Sequence, residues 1–205
     1  SLLNKDSLQV DGLLNANVRL SDLKNSLPTM DGNIRLDSIV YQQMNVGNLN
    51  MQAKSTSGNV AVTGNLSGNG NNVEITANYN ANTIDAKVNM NPVAIASIQP
   101  FTKNNLVRSS GYIYGPINIT GPVSNPAWSG ELRFDKIQTN AAQFGTLLKI
   151  DNQKINLEYP VVQFNNFTVL DSLNNAIRIN GTVTKTSDDY VSDLYITAKD
   201  FHAMN

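Results

Sequence analysis

The chain has no cysteine and one histidine, His202. Disulfide scaffolds, thiol chemistry and zinc fingers are therefore excluded, and Ser-His or Cys-His catalysis has almost nothing to work with. Charge is scarce: 15% of the 205 residues are charged, against roughly a quarter in an average soluble domain. Lys and Arg number 15 and Asp and Glu 16, a net charge of −1. That balance excludes the basic footprint of a nucleic-acid binder or a polybasic membrane-surface protein. Glutamate occurs only at Glu74, Glu131 and Glu158. No 18-residue apolar run and no signal-peptide pattern is present, so this stretch carries no anchor or address of its own. Its opening, Ser1-Leu2-Leu3-Asn4, reads as mid-domain, and a piece of a longer protein is expected.

What the chain does have is neutral amide and a strict alternation. Asparagine occurs 31 times, and the 40% hydrophobic content is too high for a disordered chain. Val60, Val62, Gly64 and Leu66 alternate with polar residues, as do Val73, Ile75, Ala77 and Tyr79, then Ile84, Ala86, Val88 and Met90. The pattern returns at Ile117 and Ile119, Leu132 and Phe134, Ile155, Leu157 and Tyr159, Ile177 and Ile179, and Leu194, Ile196 and Ala198. Period two puts the apolar set on one face of a sheet and the Asn, Thr and Lys set on the other. Clusters such as Ser67-Gly68-Asn69-Gly70-Asn71-Asn72 punctuate the runs as turns. The connections are too short for parallel crossovers. An all-β fold of antiparallel meanders is predicted, with one short helix over 92–101 entered by Pro92 and a weaker candidate over 21–27 capped by Ser21.

The two halves are related. Gly32-Asn33-Ile34-Arg35-Leu36-Asp37-Ser38-Ile39 matches Gly130-Glu131-Leu132-Arg133-Phe134-Asp135-Lys136-Ile137 at an offset of 98. Val46-Gly47-Asn48-Leu49 matches Phe144-Gly145-Thr146-Leu147 at the same offset. Residues 1–91 are read as a first meander repeat, 92–110 as a connector and 111–205 as a second repeat. Stacked repeats of this kind form elongated arrays with open ends. A one-sided sheet must bury its apolar face, and three arrangements satisfy that: a sandwich, a barrel, or a trough holding an apolar guest. Burying an acyl chain is worth roughly 0.8 kcal/mol per methylene, so about 16 carbons gain on the order of 10 kcal/mol before losses.

No motif points to catalysis, to a metal or to a cofactor. Ser21-Asp22-Leu23-Lys24 fits S-x-x-K, but the other elements of that enzyme class are missing and an all-β chain cannot supply its fold. Asp188, Asp189 and Asp193 lack calcium-loop spacing and read as a solvated hairpin tip. Gly68-Asn69-Gly70 lacks the third glycine and the helix of a phosphate loop. Tyr112 and Tyr114 with nearby Trp128 are a candidate sugar-stacking row, the basis of an alternative reading as a glycan-binding sandwich. Asn65, Asn118, Asn166 and Asn180 open N-glycosylation sequons, several of which so Asn-rich a chain carries by chance.

From Gly111 onward the chain resembles the C-terminal region of the TamB family of AsmA-like bacterial envelope proteins (the translocation and assembly module). The likeness runs through the glycine-punctuated strand Gly111-Tyr112-Ile113-Tyr114-Gly115-Pro116-Ile117-Asn118-Ile119-Thr120-Gly121-Pro122, then Asn125-Pro126-Ala127-Trp128-Ser129-Gly130-Glu131-Leu132. It continues with Phe164-Asn165-Asn166-Phe167-Thr168-Val169-Leu170-Asp171-Ser172, Ala176 to Val183 and Asp193 to Phe201. The Asn-rich composition is similar to that of Bacteroidetes members, and Asp6-Ser7-Leu8, Asp37-Ser38-Ile39 and Asp171-Ser172-Leu173 fit that group's O-glycosylation pattern. The resemblance implies a periplasmic segment of a protein anchored in the inner membrane by an N-terminal helix. It implies a long antiparallel sheet curled into a taco-like trough with an apolar interior. Phospholipid acyl chains are the implied cargo, in transport to the outer membrane, and a BamA-like outer-membrane barrel is the implied partner in outer-membrane protein assembly. On this reading the groove is lined by Ile34, Leu36, Val60, Val62, Val73, Ile75, Val88, Leu132, Phe134, Ile177, Ile179, Ile196 and Ala198. Their role is non-specific solvation of acyl chains, with no chemistry and no nucleic acid. A purely structural spacer is the third reading. Open strand edges also predict edge-to-edge self-association.

Overall fold

A computed structural model describes residues 10–24, 29–56, 58–103, 105–142 and 145–202. The chain is all-β: 77% of it is strand, gathered in one antiparallel sheet of 13 strands. The strands are β1 (Val10–Ser21), β2 (Thr29–Tyr41), β3 (Met44–Thr56), β4 (Asn59–Gly68), β5 (Asn71–Asn80), β6 (Thr83–Ala94) and β7 (Leu106–Pro122). They continue with β8 (Ala127–Ala141), β9 (Thr146–Ile150), β10 (Gln153–Glu158), β11 (Val161–Leu170), β12 (Ala176–Lys185) and β13 (Tyr190–Ala198). Spatial order follows chain order, as a meander of short turns requires. β9 and β10 are two halves of one strand: both run antiparallel to β8, along 137–141 and 129–134 respectively, broken at Asp151-Asn152. The two halves of the chain share this sheet without a gap, since β6 and β7 pair from Thr83↔Pro122 to Ala94↔Tyr112.

The sheet is bent along a line of bulges that crosses it. Register shifts fall between Leu36 and Ile39 in β2, Met90 and Val93 in β6, Val107 and Tyr112 in β7, and Phe164 and Phe167 in β11. At this line Ser38, Arg108, Lys136 and Asn166 take left-handed conformations, φ 53°, 54°, 48° and 50°. Such a turn inside a strand frees an N–H, and a neighbouring strand's side chain receives it. Ser38 donates to Asn48 Oδ1 at 2.8 Å, Lys136 to Asp151 Oδ1 at 3.0 Å and Asn166 to Asn180 Oδ1 at 2.8 Å. Ser38 and Lys136 occupy equivalent positions of the two repeats, at the offset of 98. Bulges kink and over-twist the strands that carry them, so the sheet curls here. Beyond the line lie most of the buried apolar side chains: Tyr41, Ala94, Ile95, Ile137, Ala141 and Phe167.

Helix is shorter than 92–101. Pro92 and Val93 stay in β6, Val93 pairing with Ile113, and the helix α1 spans Ile95–Ile98, followed by a 3-10 turn at Gln99–Thr102. It fits a notch. The β4–β5 hairpin ends at Asn69-Gly70 while β3 and β7 run on, and α1 contacts β3, β6 and β7 in the space left. Buried Asn71 ties the notch together. Its amide nitrogen donates to Val46 O and Ser97 Oγ, both at 2.7 Å, and its Oδ1 accepts Ala94 N–H at 2.8 Å. The 21–27 candidate is not a helix where it is described: Ser21 ends β1 and Leu23-Lys24 is a turn, while 25–27 lie outside the described residues.

Candidate functional site

The register aligns the apolar positions of successive strands into continuous rows. One row runs Ala16, Ile34, Met51, Gly64, Ile75, Val88, Ile117, Gly130, Leu157, Val162, Val183, Ser192. The next row holds Leu14, Leu36, Leu49, Leu66, Val73, Met90 and Gly115, then Leu132, Ile155, Phe164, Gly181 and Leu194. On the other side of the first row lie Val18, Gly32, Ala53, Val62, Ala77, Ala86, Ile119 and Trp128. Because directly paired residues project to the same side of a sheet, these rows make one apolar face. All thirteen side chains expected to line the groove lie on it. Ile34, Ile75 and Val88 sit in the first row, Leu36, Val73 and Leu132 in the second, and Val62 in the third. Val60 lies beside Tyr79, and Phe134 beside Ile113. Ile179 and Ile177 pair with Ile196 and Ala198 at the β13 edge.

Burial along the face is uneven. Val73 is buried, and most of the rest of the thirteen are half-buried. Ile34 is 38% exposed and Ile196 55%, and Ala198 is exposed, so the last two sit at the margin of the face. No second sheet packs on it among the described residues. Among the described residues everything outside α1 and its 3-10 turn belongs to the one sheet or to links within it. The accessible surface is correspondingly large: 13335 Å², where a compact monomer of 22.3 kDa would expose roughly 9,400 Å². The closed sandwich is therefore excluded as the way this face is covered.

Alternation alone did not single out Phe164 and Phe167. Across the bulge of β11 they form the aromatic centre of the crease: Phe167 packs edge-on against Phe134 (ring centroids 5.4 Å) and against Phe164 (5.8 Å). The bulge at Asn165-Asn166 breaks the period, which is why they do not read as one face in the sequence. Leu49 and Met51 are likewise hidden in the sequence, because β3 is diluted with asparagine; their own spacing of two is the available signal.

The opposite face is a polar lattice. Asn17, Asn33, Gln52, Thr63, Thr76, Lys87, Asn118 and Ser129 share one row, and Asn15, Arg35, Asn50, Asn65, Glu74 and Asn89 another. Tyr112 and Tyr114 belong here, 6.4 Å apart and tilted, with the Arg133 guanidinium 4.6 Å above the Tyr114 ring. Trp128 lies on the apolar face, edge-on to Tyr159 at 5.8 Å. The three aromatics are thus on two faces and form no common stacking row.

One carboxylate is fully buried. Asp171, at the end of β11, accepts the N–H groups of Leu173 and Asn175 on Oδ1, both at 2.8 Å. Its Oδ2 accepts Asn175 Nδ2 at 3.1 Å and His202 N–H at 2.9 Å. Burial pushes its pKa up, but those four hydrogen bonds outweigh it and hold the carboxyl well below the usual carboxylate range. Asp171 thereby fastens the β11–β12 turn to the segment following β13, a structural role. Among the described residues no group of three or more His, Cys, Asp or Glu is placed to hold a metal ion. Among the described residues no helix is long and apolar enough to cross a membrane.

Comparison of the chain with known protein families, with curated proteins and with solved structures finds no match.

Proposed function

We propose that the apolar face is a groove that solvates acyl chains, and that the chain is a non-enzymatic periplasmic segment of a TamB-like protein moving phospholipid between membranes. The observation that carries this reading is the rows themselves: large aliphatic side chains aligned strand after strand, with no second layer over them. Soluble proteins rarely leave so continuous an apolar surface without an occupant. The three apolar rows named above hold no charged residue, which suits a cargo held by its tails while the head stays in water. The sequence resemblance of residues 111–205 supports the periplasmic setting, the inner-membrane anchor elsewhere in the protein and a BamA-like partner.

The test is lipid content. The protein is purified from a bacterial periplasm, extracted with organic solvent, and phospholipid per chain is quantified by mass spectrometry. Stoichiometric phospholipid, lost on Ile75→Asp and retained on Thr76→Asp, is the expected result. Protein that is lipid-free and resists loading overturns the proposal.

A further inference from the structure

The third apolar row changes character where it meets the turns. Past Trp128 it continues through Tyr159, Pro160, Lys185 and Tyr190. Tyr159 N–H donates to Trp128 O and Lys185 N–H to Pro160 O, both at 2.8 Å, and Lys185 pairs with Tyr190. Tyr79, two residues beyond Ala77 of the same row, lies at this end of the strands as well. Turn asparagines pin two of these rings: the Tyr79 hydroxyl donates to Asn82 Oδ1 at 3.0 Å and the Tyr159 hydroxyl to Asn125 Oδ1 at 3.1 Å. An aromatic body with a hydrogen-bonded polar tip suits a boundary between an apolar phase and water. At the other end of the strands, beyond the crease, buried side chains such as Tyr41, Ile95 and Phe167 collect instead. The two margins of the apolar face therefore differ.

Between the turns at the aromatic margin opens a cleft of about 520 Å³. Ser124 and Asn125 line it after β7, Tyr159 and Pro160 after β10, and Lys185, Thr186 and Ser187 at the end of β12. Its size is that of a small-molecule site. Lys185 is half-buried there; its Nζ donates to Thr186 O at 3.3 Å and forms no ion pair among the described residues. Partial burial of a cation without a counter-charge is costly, and an anionic ligand relieves it. Two exposed carboxylates stand in the same turn. Asp188 Oδ2 accepts the Ser187 hydroxyl at 3.0 Å, and Asp189 Oδ1 accepts Tyr190 N–H at 2.7 Å. We infer that this cleft is a head-group subsite in which Lys185 holds the phosphate of a phospholipid whose acyl chain lies on the adjoining rows, and that it prefers a zwitterionic phosphate–ammonium head. Such a head meets opposite charge twice, its phosphate at Lys185 and its ammonium at Asp188 and Asp189. A purely anionic head meets two like charges. Ser124 and the Asn125 amide nitrogen, left free by the Tyr159 bond to Oδ1, add neutral donors. The inference rests on the groove reading and adds to it which margin the head occupies and which head is favoured.

The experiment is displacement of a fluorescent fatty acid by lysophosphatidylethanolamine, lysophosphatidylglycerol and monoacylglycerol of one acyl length, and by glycerophosphoethanolamine, which has no acyl chain. Potencies are compared as ratios within each variant, so a change in probe binding cancels. The unmodified chain is expected to take lysophosphatidylethanolamine roughly tenfold more tightly than monoacylglycerol, the worth of a hydrogen bond to a charged group. It should also take it more tightly than lysophosphatidylglycerol. Lys185→Gln should bring lysophosphatidylethanolamine level with monoacylglycerol, and Lys185→Arg should keep the ratio. Asp188→Asn combined with Asp189→Asn should remove the preference for ethanolamine over glycerol. Circular dichroism verifies that each variant retains the sheet. An unchanged ratio in Lys185→Gln overturns the inference, while continued binding of monoacylglycerol leaves the groove standing. Equal or tighter binding of lysophosphatidylglycerol by the unmodified chain overturns it too. Glycerophosphoethanolamine competing as well as its acylated counterpart makes the cleft a site for soluble phosphate esters, which also overturns it. Absence of binding by every acyl compound refutes the groove and this subsite with it.

Discussion

Replacing Ile75 by aspartate is the sharpest test of the groove. Ile75 lies near the middle of the first row, opposite Gly64 on one side and Val88 on the other. Gly64 presents no side chain beside it, so a bound chain would lie against Ile75 itself. A carboxylate there keeps its water and displaces the guest over about one strand spacing, ~4.8 Å, in all. About four methylenes then lose their burial at ~0.8 kcal/mol each. The loss is about 3 kcal/mol, roughly a hundredfold in affinity. Ile75→Ala removes part of the contact without adding charge, and it should cost less than a tenth as much in affinity ratio. Thr76→Asp is the matched control. Thr76 is on the polar face, exposed and opposite Lys87, so the added carboxylate meets a cation in water. The assay is displacement of a fluorescent fatty acid from the purified protein, with circular dichroism confirming the fold of each variant. Equal weakening by Ile75→Asp and Thr76→Asp would refute the assignment of faces. So would full retention by Ile75→Asp.

Other outcomes follow from the frame. Gly115 and Gly130 sit in β7 and β8 at φ 132° and 153°, where an added Cβ would collide with the Glu131 and Pro116 carbonyl oxygens. Either changed to alanine should separate the strands and lower stability by about 1–3 kcal/mol or more, whereas Gly64→Ala meets only ordinary contacts and should be near neutral in urea unfolding. Phe167→Ala empties the centre of the crease and should cost about 3–5 kcal/mol, read as a fall in Tm. The pKa of Asp171 is depressed in the folded chain, so its stabilisation is complete above the unfolded value near ~3.9 and is lost as pH falls below it. Thermal melts should show unmodified protein losing stability through that acid window, and Asp171→Asn, less stable at neutral pH, losing correspondingly less.

Much of this could be seen in one dimension. Val60 to Leu66 and Val73 to Tyr79 alternate without interruption, and each became a straight strand with those side chains on a single face. The relation of Gly32–Ile39 to Gly130–Ile137 also had a physical counterpart, since both segments bulge at their seventh residue, Ser38 and Lys136. Where alternation failed, the reason was long-range. Phe164 and Phe167 are three apart and look like opposite faces until the Asn166 bulge, held by Asn180 of the next strand, returns them to one side. Pro92 looked like the start of a helix, but pairing with β7 holds its neighbours in β6 and delays the helix to Ile95. Tyr112, Tyr114 and Trp128 looked like one row, but alternation in two different strands puts the last on the opposite face.

By itself, then, the sequence determined the all-β fold, its antiparallel meander and the apolar side of strands such as β4, β5 and β6, because side-chain alternation is a property of the local backbone. It also determined that the chain has no cysteine and a single histidine, because composition is indifferent to folding. Only the tertiary structure decided that the apolar face is left without a second layer, where the sheet creases, and that the apolar positions of twelve strands fall into common rows. Those features depend on cross-strand register and on side chains such as Asn48, Asp151 and Asn180 that cap bulges a strand away. No spacing within one strand encodes its neighbour's register.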